Sequence, residues 1–143
     1  MANKEYKPIL LVEDNPTDVN LIVQAFQKNE MGHILDIVHD GVEAVEYLFG
    51  SVNGTSLCYP APKLVLLDLR LPRMDGLEVL RRIRTHPEAK HLSVIVFTGS
   101  QDEQDHMEAL NLNVDGYIQK PVDYHDFPKA LEKIGLTWLI LHQ

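Results

Sequence analysis

The sequence predicts a doubly wound α/β fold, with five parallel strands in one sheet and helices on both faces. Strand-like and helix-like hydrophobic periods alternate five times along the chain. Three apolar runs are unbroken, as in strands covered on both faces: Ile9-Leu10-Leu11-Val12, Leu64-Val65-Leu66-Leu67 and Val94-Ile95-Val96-Phe97. Each run leads into polar residues, namely Glu13-Asp14, Asp68 and Thr98.

The elements follow in order. Residues 8–13 read as a buried strand. Asn15-Pro16 comes next, a cap residue and then a proline whose fixed φ suits a first helical turn. Val19, Ile22, Val23 and Phe26 recur at helical spacing as far as about Asn29. Gly32 breaks the chain, and residues 34–38 form a second short strand. Asp40 caps a helix carrying Val42, Val45, Leu48 and Phe49. Residues 50–63 are turn-rich, with Asn53-Gly54 and Pro60-Ala61-Pro62, and exceed the ~2–6 residues usual for such a connection.

Residues 64–68 are the third strand. Asp75 opens a helix with Leu77, Leu80 and Ile83 on one face, closed by His86-Pro87. Strand four spans 93–97. Residues 103–112 are a helix with a thin apolar stripe of Met107, Ala109 and Leu110. Strand five spans 116–119. The last helix runs from 123 to about 141, with Phe127, Leu131, Ile134, Trp138 and Leu141 one turn apart. Crossovers should be right-handed, and a ligand should bind at the carboxyl ends of the strands. In the flavodoxin-like order 2-1-3-4-5, Glu13 and Asp14 lie beside Asp68, with Thr98 on the next strand.

Bulk composition narrows the function. The 143 residues fit one domain, 1–143, with a core of about 8–134 and a helical extension of about 135–143. A net charge of -8 and the lack of any basic run argue against nucleic acid. Cys58 is the only cysteine, so no internal disulfide forms, and it reads as a free surface thiol. The seven histidines are scattered and read as surface residues. The first residues lack the apolar core of a signal peptide, and no stretch approaches the ~20 apolar residues of a membrane span. A cytoplasmic protein is expected.

The polar strand ends carry the chemistry. Carboxylates ~4 Å apart repel by several kcal/mol, so a cluster needs a cation or a raised pKa. Acid ligands in an open cleft favour Mg2+, which keeps waters and accepts phosphate oxygens. Lys120 brings a positive charge to the same edge and Thr98 a hydroxyl. That set suits a transferring phosphoryl group, with Asp68 the natural nucleophile. A cis Lys120-Pro121 bond would aim the lysine back over the strand ends. Gly99 leaves room for phosphate, and Pro72 and Gly76 shape the turn after Asp68.

The segment Leu66-Leu67-Asp68-Leu69-Arg70-Leu71-Pro72-Arg73-Met74-Asp75-Gly76 resembles the phosphoacceptor segment of two-component response-regulator receiver domains. Glu13-Asp14, Thr98 and Lys120-Pro121 fit in register, Thr98 lying 30 residues after Asp68 and Lys120 22 after Thr98. The resemblance covers residues 8 to about 134. It implies that Asp68 takes phosphate from a kinase histidine. Asp14, Asp68 and the Arg70 backbone carbonyl would hold Mg2+ directly, and Glu13 through a water. Thr98 and Lys120 would contact the phosphoryl oxygens, and Tyr117 stands at the family's rotating aromatic position. The long 50–63 loop and the apolar end resemble regulators paired with phytochrome-type sensor histidine kinases.

The resemblance implies a switch. Thr98 would move towards the phosphoryl group, and Tyr117 would turn inward into the vacated space. The face of helix four, strand five and helix five would then change its partner affinity. Arg70 and Ser100 border the path of the attacking water, and Arg70 is expected to slow self-hydrolysis. The chain stops soon after helix five, so output is expected through a protein partner or a phosphotransfer protein. The apolar last helix suggests a homodimer. Activity as an enzyme beyond self-phosphotransfer and self-dephosphorylation is not expected. A Mg2+-dependent phosphohydrolase would need an acid where Arg70 stands. A flavin binder would need a phosphate loop where Glu13-Asp14-Asn15-Pro16 stands. A phosphate-independent scaffold would not need the full acceptor set.

Overall fold

The computed structural model describes residues 8–28 and 35–121. The Gly32 break, the start of the second strand at Ile34 and the last helix with its dimer surface lie outside the described residues.

Chain order is β1 (Ile9–Val12), α1 (Pro16–Lys28), β2 (Leu35–Val38), α2 (Gly41–Phe49), β3 (Leu64–Leu67), α3 (Gly76–Thr85), β4 (Val94–Thr98), α4 (Glu103–Asn111) and β5 (Gly116–Gln119). The five strands form one sheet in the order β2-β1-β3-β4-β5, every pair parallel. The predicted fold and strand order are therefore borne out. In register, Val12 faces Leu67, and Val96 faces Tyr117.

Strand alternation divides the interior in two. Leu10, Val12, Val65, Leu67, Val94 and Val96 pack with α2 and α3, with Ala109 of α4 and Tyr117 joining them. Ile9, Leu11, Leu64, Leu66, Ile95 and Phe97 point the other way, onto Ile22 and Phe26 of α1. Phe26 is fully buried, so its truncation to alanine should cost about 3–5 kcal/mol.

Caps set the helix starts. Asn15 Oδ1 accepts from the N–H groups of Thr17 and Asp18 at 2.9 and 3.2 Å, directly ahead of Pro16. Asp40 Oδ1 accepts from the Glu43 N–H at 2.8 Å. Asp75 occupies the cap position of α3 but makes no side-chain cap bond. Gly50 closes α2 at φ +84°, a left-handed position suited to glycine. Gly76 is required by a close approach, because a Cβ there would collide with the Asp68 carbonyl.

Three local expectations need correction. Met107 and Leu110 are 62% and 52% exposed, and Ala109 alone of that stripe is buried. Helix α4 instead turns His106 inward, where its ring stacks on Tyr117 with centroids 4.0 Å apart. His86 is likewise no free surface histidine, since it stacks on Phe49 and its Nδ1 accepts from the N–H groups of Glu88 and Ala89. Cys58 is half-buried rather than exposed, and burial pushes its thiol pKa up, which disfavours the reactive thiolate.

Candidate functional site

Strand lengths decide where the polar residues emerge. Strands β1 and β3 end at Val12 and Leu67, so Glu13 and Asp68 are the first residues past the ladder. The Asp68 N–H still donates to the Val12 carbonyl at 3.1 Å, which holds the two acidic turns side by side. Ligand oxygens of Glu13, Asp14 and Asp68 lie within 4.8 Å of one another. Glu13 is fully buried, Asp68 is 4% exposed and Asp14 faces solvent. Together with Asn15, Pro16, Asp18, Arg70, Gly99 and Lys120 they line a cleft of about 480 Å³.

Lys120 crosses the cleft. Its Nζ donates to Glu13 Oε1 at 2.7 Å, Asp18 Oδ2 at 2.8 Å and Asp68 Oδ2 at 2.9 Å. The Lys120–Pro121 bond is cis. Burial alone would lower the lysine, but its hydrogen bonds to Asp18, Glu13 and Asp68 hold its pKa above the ordinary value. One ammonium cannot neutralise this many carboxylates, and Glu13 carries the surplus. Burial, helped by Asp68, pushes Glu13 up to about 7 against its bonds to Lys120 and the Asn15 N–H. A cluster with a carboxyl held so high fits a divalent cation, and an all-oxygen donor set suits a hard one.

Asp68 is held at both oxygens. Oδ1 accepts the Arg70 N–H at 3.0 Å, and Oδ2 accepts Lys120. Thr98 ends β4 fully buried, with Oγ1 accepting from the Ser100 N–H at 3.2 Å. Gly99 opens onto the cleft, since a Cβ there would meet nothing nearer than Lys120 Cβ at 4.0 Å. Tyr117 lies on the same sheet face as Val96 and α4. Its hydroxyl is already buried and without a partner among the described residues. Tyr117 thus faces inward with Thr98 still bound to the Ser100 N–H, ahead of the movement expected to admit it.

The predicted residues Glu13, Asp14, Asp68, Thr98 and Lys120 thus converge on one sheet edge, with Tyr117 on β5, two strands over from β3 and Asp68. Two contributors were missed. Asp18 reads in sequence as an acid favouring a helix N-terminus, yet it is a full partner of Lys120. Asp105 reads the same way, yet it takes the Arg70 guanidinium at 3.1 Å. Arg70 itself points to α4 and not over Asp68.

A family model described as the response regulator receiver domain matches residues 9–132. The chain belongs to the response-regulator receiver family. This receiver is 37% identical over 133 residues to the response regulator Rcp1 of Synechocystis sp., covering 93% of this chain and 89% of that protein. The structure of the phosphorylated cyanobacterial phytochrome response regulator RcpA superposes with a TM-score of 0.77 at 35% identity, over 96% of this chain and 97% of that one. The Mn2+-bound form of Rcp1 gives a TM-score of 0.76 at 36% identity, over 93% and 94%. Receiver domains are the signalling switches of two-component systems and accept phosphoryl groups from histidine kinases. Among the described residues, no helix is long and apolar enough to cross a membrane.

Proposed function

We propose that Asp68 accepts the phosphoryl group and that the receiver is a single unit over 1–143 acting in the cytoplasm. The observation that carries this is Lys120 Nζ bound at once to Asp68, Glu13 and Asp18 beside a solvent-facing Asp14. In the transfer, an Asp68 carboxylate oxygen forms a bond to phosphorus as the bond from phosphorus to the kinase histidine nitrogen breaks. Lys120 is the donor that stays with the reacting oxygens, while the Arg70 N–H fixes the other carboxylate oxygen. Glu13, Asp14, Asp68 and the Arg70 carbonyl would hold Mg2+, which supplies charge neutralisation for attack on an anionic donor.

Thr98 and Tyr117 form the switch pair in this reading. The Thr98 hydroxyl, whose oxygen accepts from the Ser100 N–H, donates to a phosphoryl oxygen. Among the described residues, Tyr117 is held inward by packing and the His106 stack, and a buried hydroxyl without a partner there costs about 1–3 kcal/mol. Its position is therefore sensitive to small changes at Thr98. Exposed Met107 and Leu110 on α4 supply apolar surface to a downstream protein or phosphotransfer partner. Similarity to bacteriophytochrome and cyanobacterial phytochrome response regulators supports a phytochrome-type sensor kinase upstream. A second copy docking through the last helix belongs to the same reading, and sedimentation across concentrations tests it. Turnover beyond self-phosphotransfer and self-dephosphorylation is not part of it.

The deciding experiment is intact-mass measurement after incubation with a small phosphodonor and Mg2+. One added phosphoryl group is expected on the wild type and none on Asp68→Asn. Incorporation that survives in Asp68→Asn would refute the assignment.

A further inference from the structure

Arg70 leaves the turn after Asp68 in the direction of α4. Its guanidinium donates to Ser100 Oγ at 3.2 Å and pairs with Asp105 Oδ2 at 3.1 Å, with Asp102 Oδ2 at 4.0 Å. Ser100 Oγ donates to Asp105 Oδ2 at 3.2 Å and accepts from the Asp102 N–H at 3.3 Å. Asp102 then caps the helix, taking the Gln104 N–H on Oδ1 at 2.8 Å and the His106 N–H on its carbonyl at 3.1 Å. A short chain of contacts thus runs from the acceptor turn to the first turn of α4. That helix carries the ring stacked on Tyr117.

We propose that Arg70 is a partner-exchanging clamp: it holds the start of α4 through Asp105 and Ser100, and a phosphoryl group on Asp68 draws it away. The inference rests on the reading of Asp68 as the acceptor. Arg70 lines the same cleft as Asp68, and its side chain is 57% exposed, so it is free to swing. Asp105 offers one negative charge. A phosphoryl group brings ~1.5–2, on oxygens whose spacing matches a guanidinium fork.

Departure of Arg70 has a direct consequence for α4. Asp102, Glu103 and Asp105 crowd its first turn, and they repel one another once their counter-charge leaves. The helix dipole favours acids at this end but does not hold them in one geometry. The first turn should loosen, and with it the seat of His106 against Tyr117. Arg70 is therefore a positioning residue that acts on α4, and its backbone N–H serves Asp68 independently.

The test is hydrogen exchange at the amides of Asp102, Gln104 and His106 in the full chain, with and without Mg2+ and beryllofluoride as the phosphoryl mimic. In the wild type the mimic should speed exchange at least about threefold. Arg70→Ala should exchange fast without the mimic and gain nothing from it. Asp105→Asn removes the clamp's anchor together with one of the repelling acids, so it should exchange more slowly than Arg70→Ala and gain little from the mimic. Mimic binding is read separately by fluorine NMR on the wild type and on Asp68→Asn. Wild type that fails to bind the mimic refutes the acceptor reading and the clamp together. Wild type that binds it with unchanged α4 exchange refutes the clamp alone. A rise in both variants as large as in the wild type does the same.

Discussion

Two cations sit at opposite edges of the sheet and are held in opposite ways. Arg84, in the last turn of α3, donates to the backbone carbonyls of Leu112 at 2.8 Å, Leu92 at 2.7 Å, Lys90 at 3.1 Å and Asn113 at 3.0 Å. Its nearest carboxylate, Asp115, is 3.6 Å away and itself takes the Val94 N–H. Burial lowers its pKa, and Asp115 only partly compensates. Lys120, at the carboxyl edge, has carboxylates for every hydrogen-bond partner described above. Carbonyls are neutral and belong to fixed backbone. Carboxylates can be taken by protons, metals or a phosphoryl group. The first arrangement is a rivet, and the second is a set of exchangeable contacts.

The largest expected effect separates the two by stability. Arg84→Met leaves several carbonyls without donors and should cost about 3–4 kcal/mol in chemical denaturation. Added Mg2+ should not recover it. Lys120→Met should cost about 2–3 kcal/mol in chelator, because it strands buried like charges, and millimolar Mg2+ should recover most of it. Equal rescue of both variants, or of neither, would break the comparison.

A smaller effect sharpens it through pH. Glu13 titrates near 7 in the folded chain, above its unfolded value of 4.5. The folded state therefore binds more protons between these values. The stability this contributes is complete below 4.5 and is lost as pH rises through 7. In chelator, the wild type should lose about 1–3 kcal/mol across this window. Glu13→Gln should flatten that slope, whereas Arg84→Met should keep it. A wild-type profile without slope over the window would remove Glu13 as the bearer of surplus charge.

The sheet edge was legible because apolar runs of strand length end abruptly at acids, and parallel alternation brings those ends together. Asp68, Glu13, Asp14 and Thr98 follow from that, whereas Lys120 follows Gly116–Gln119, which is no apolar run, and joins them through the order of the strands. What was not legible depends on how helices rotate about their axes. Helix α4 has only a thin apolar stripe, so its period did not distinguish an inward Met107 from an inward His106. Packing of His106 on Tyr117 settled the rotation. Asp18, Asp105 and Arg84 share a second reason. A charged residue near a helix end satisfies the dipole whatever else it touches, so its sequence position hides a tertiary partner. Arg70 was recognised as important, but its partner Asp105 lies 35 residues away on another element and is not legible from sequence.

The sheet that divides the interior has a consequence for how this receiver can diversify. Ile22 and Phe26 anchor α1, and with it Asn15 and Asp18, entirely from one side. Tyr117, Ala109 and the α2–α3 contacts occupy the other. A substitution that resizes the α1 side alters the approach to the acidic pocket without disturbing the seat of Tyr117. One that resizes the far side reaches both the seat of Tyr117 and the acceptor turn, because Leu69 and Leu71 pack there. The sheet therefore splits the support of α1 from that of Tyr117, and a change confined to the α1 side reaches the first without the second.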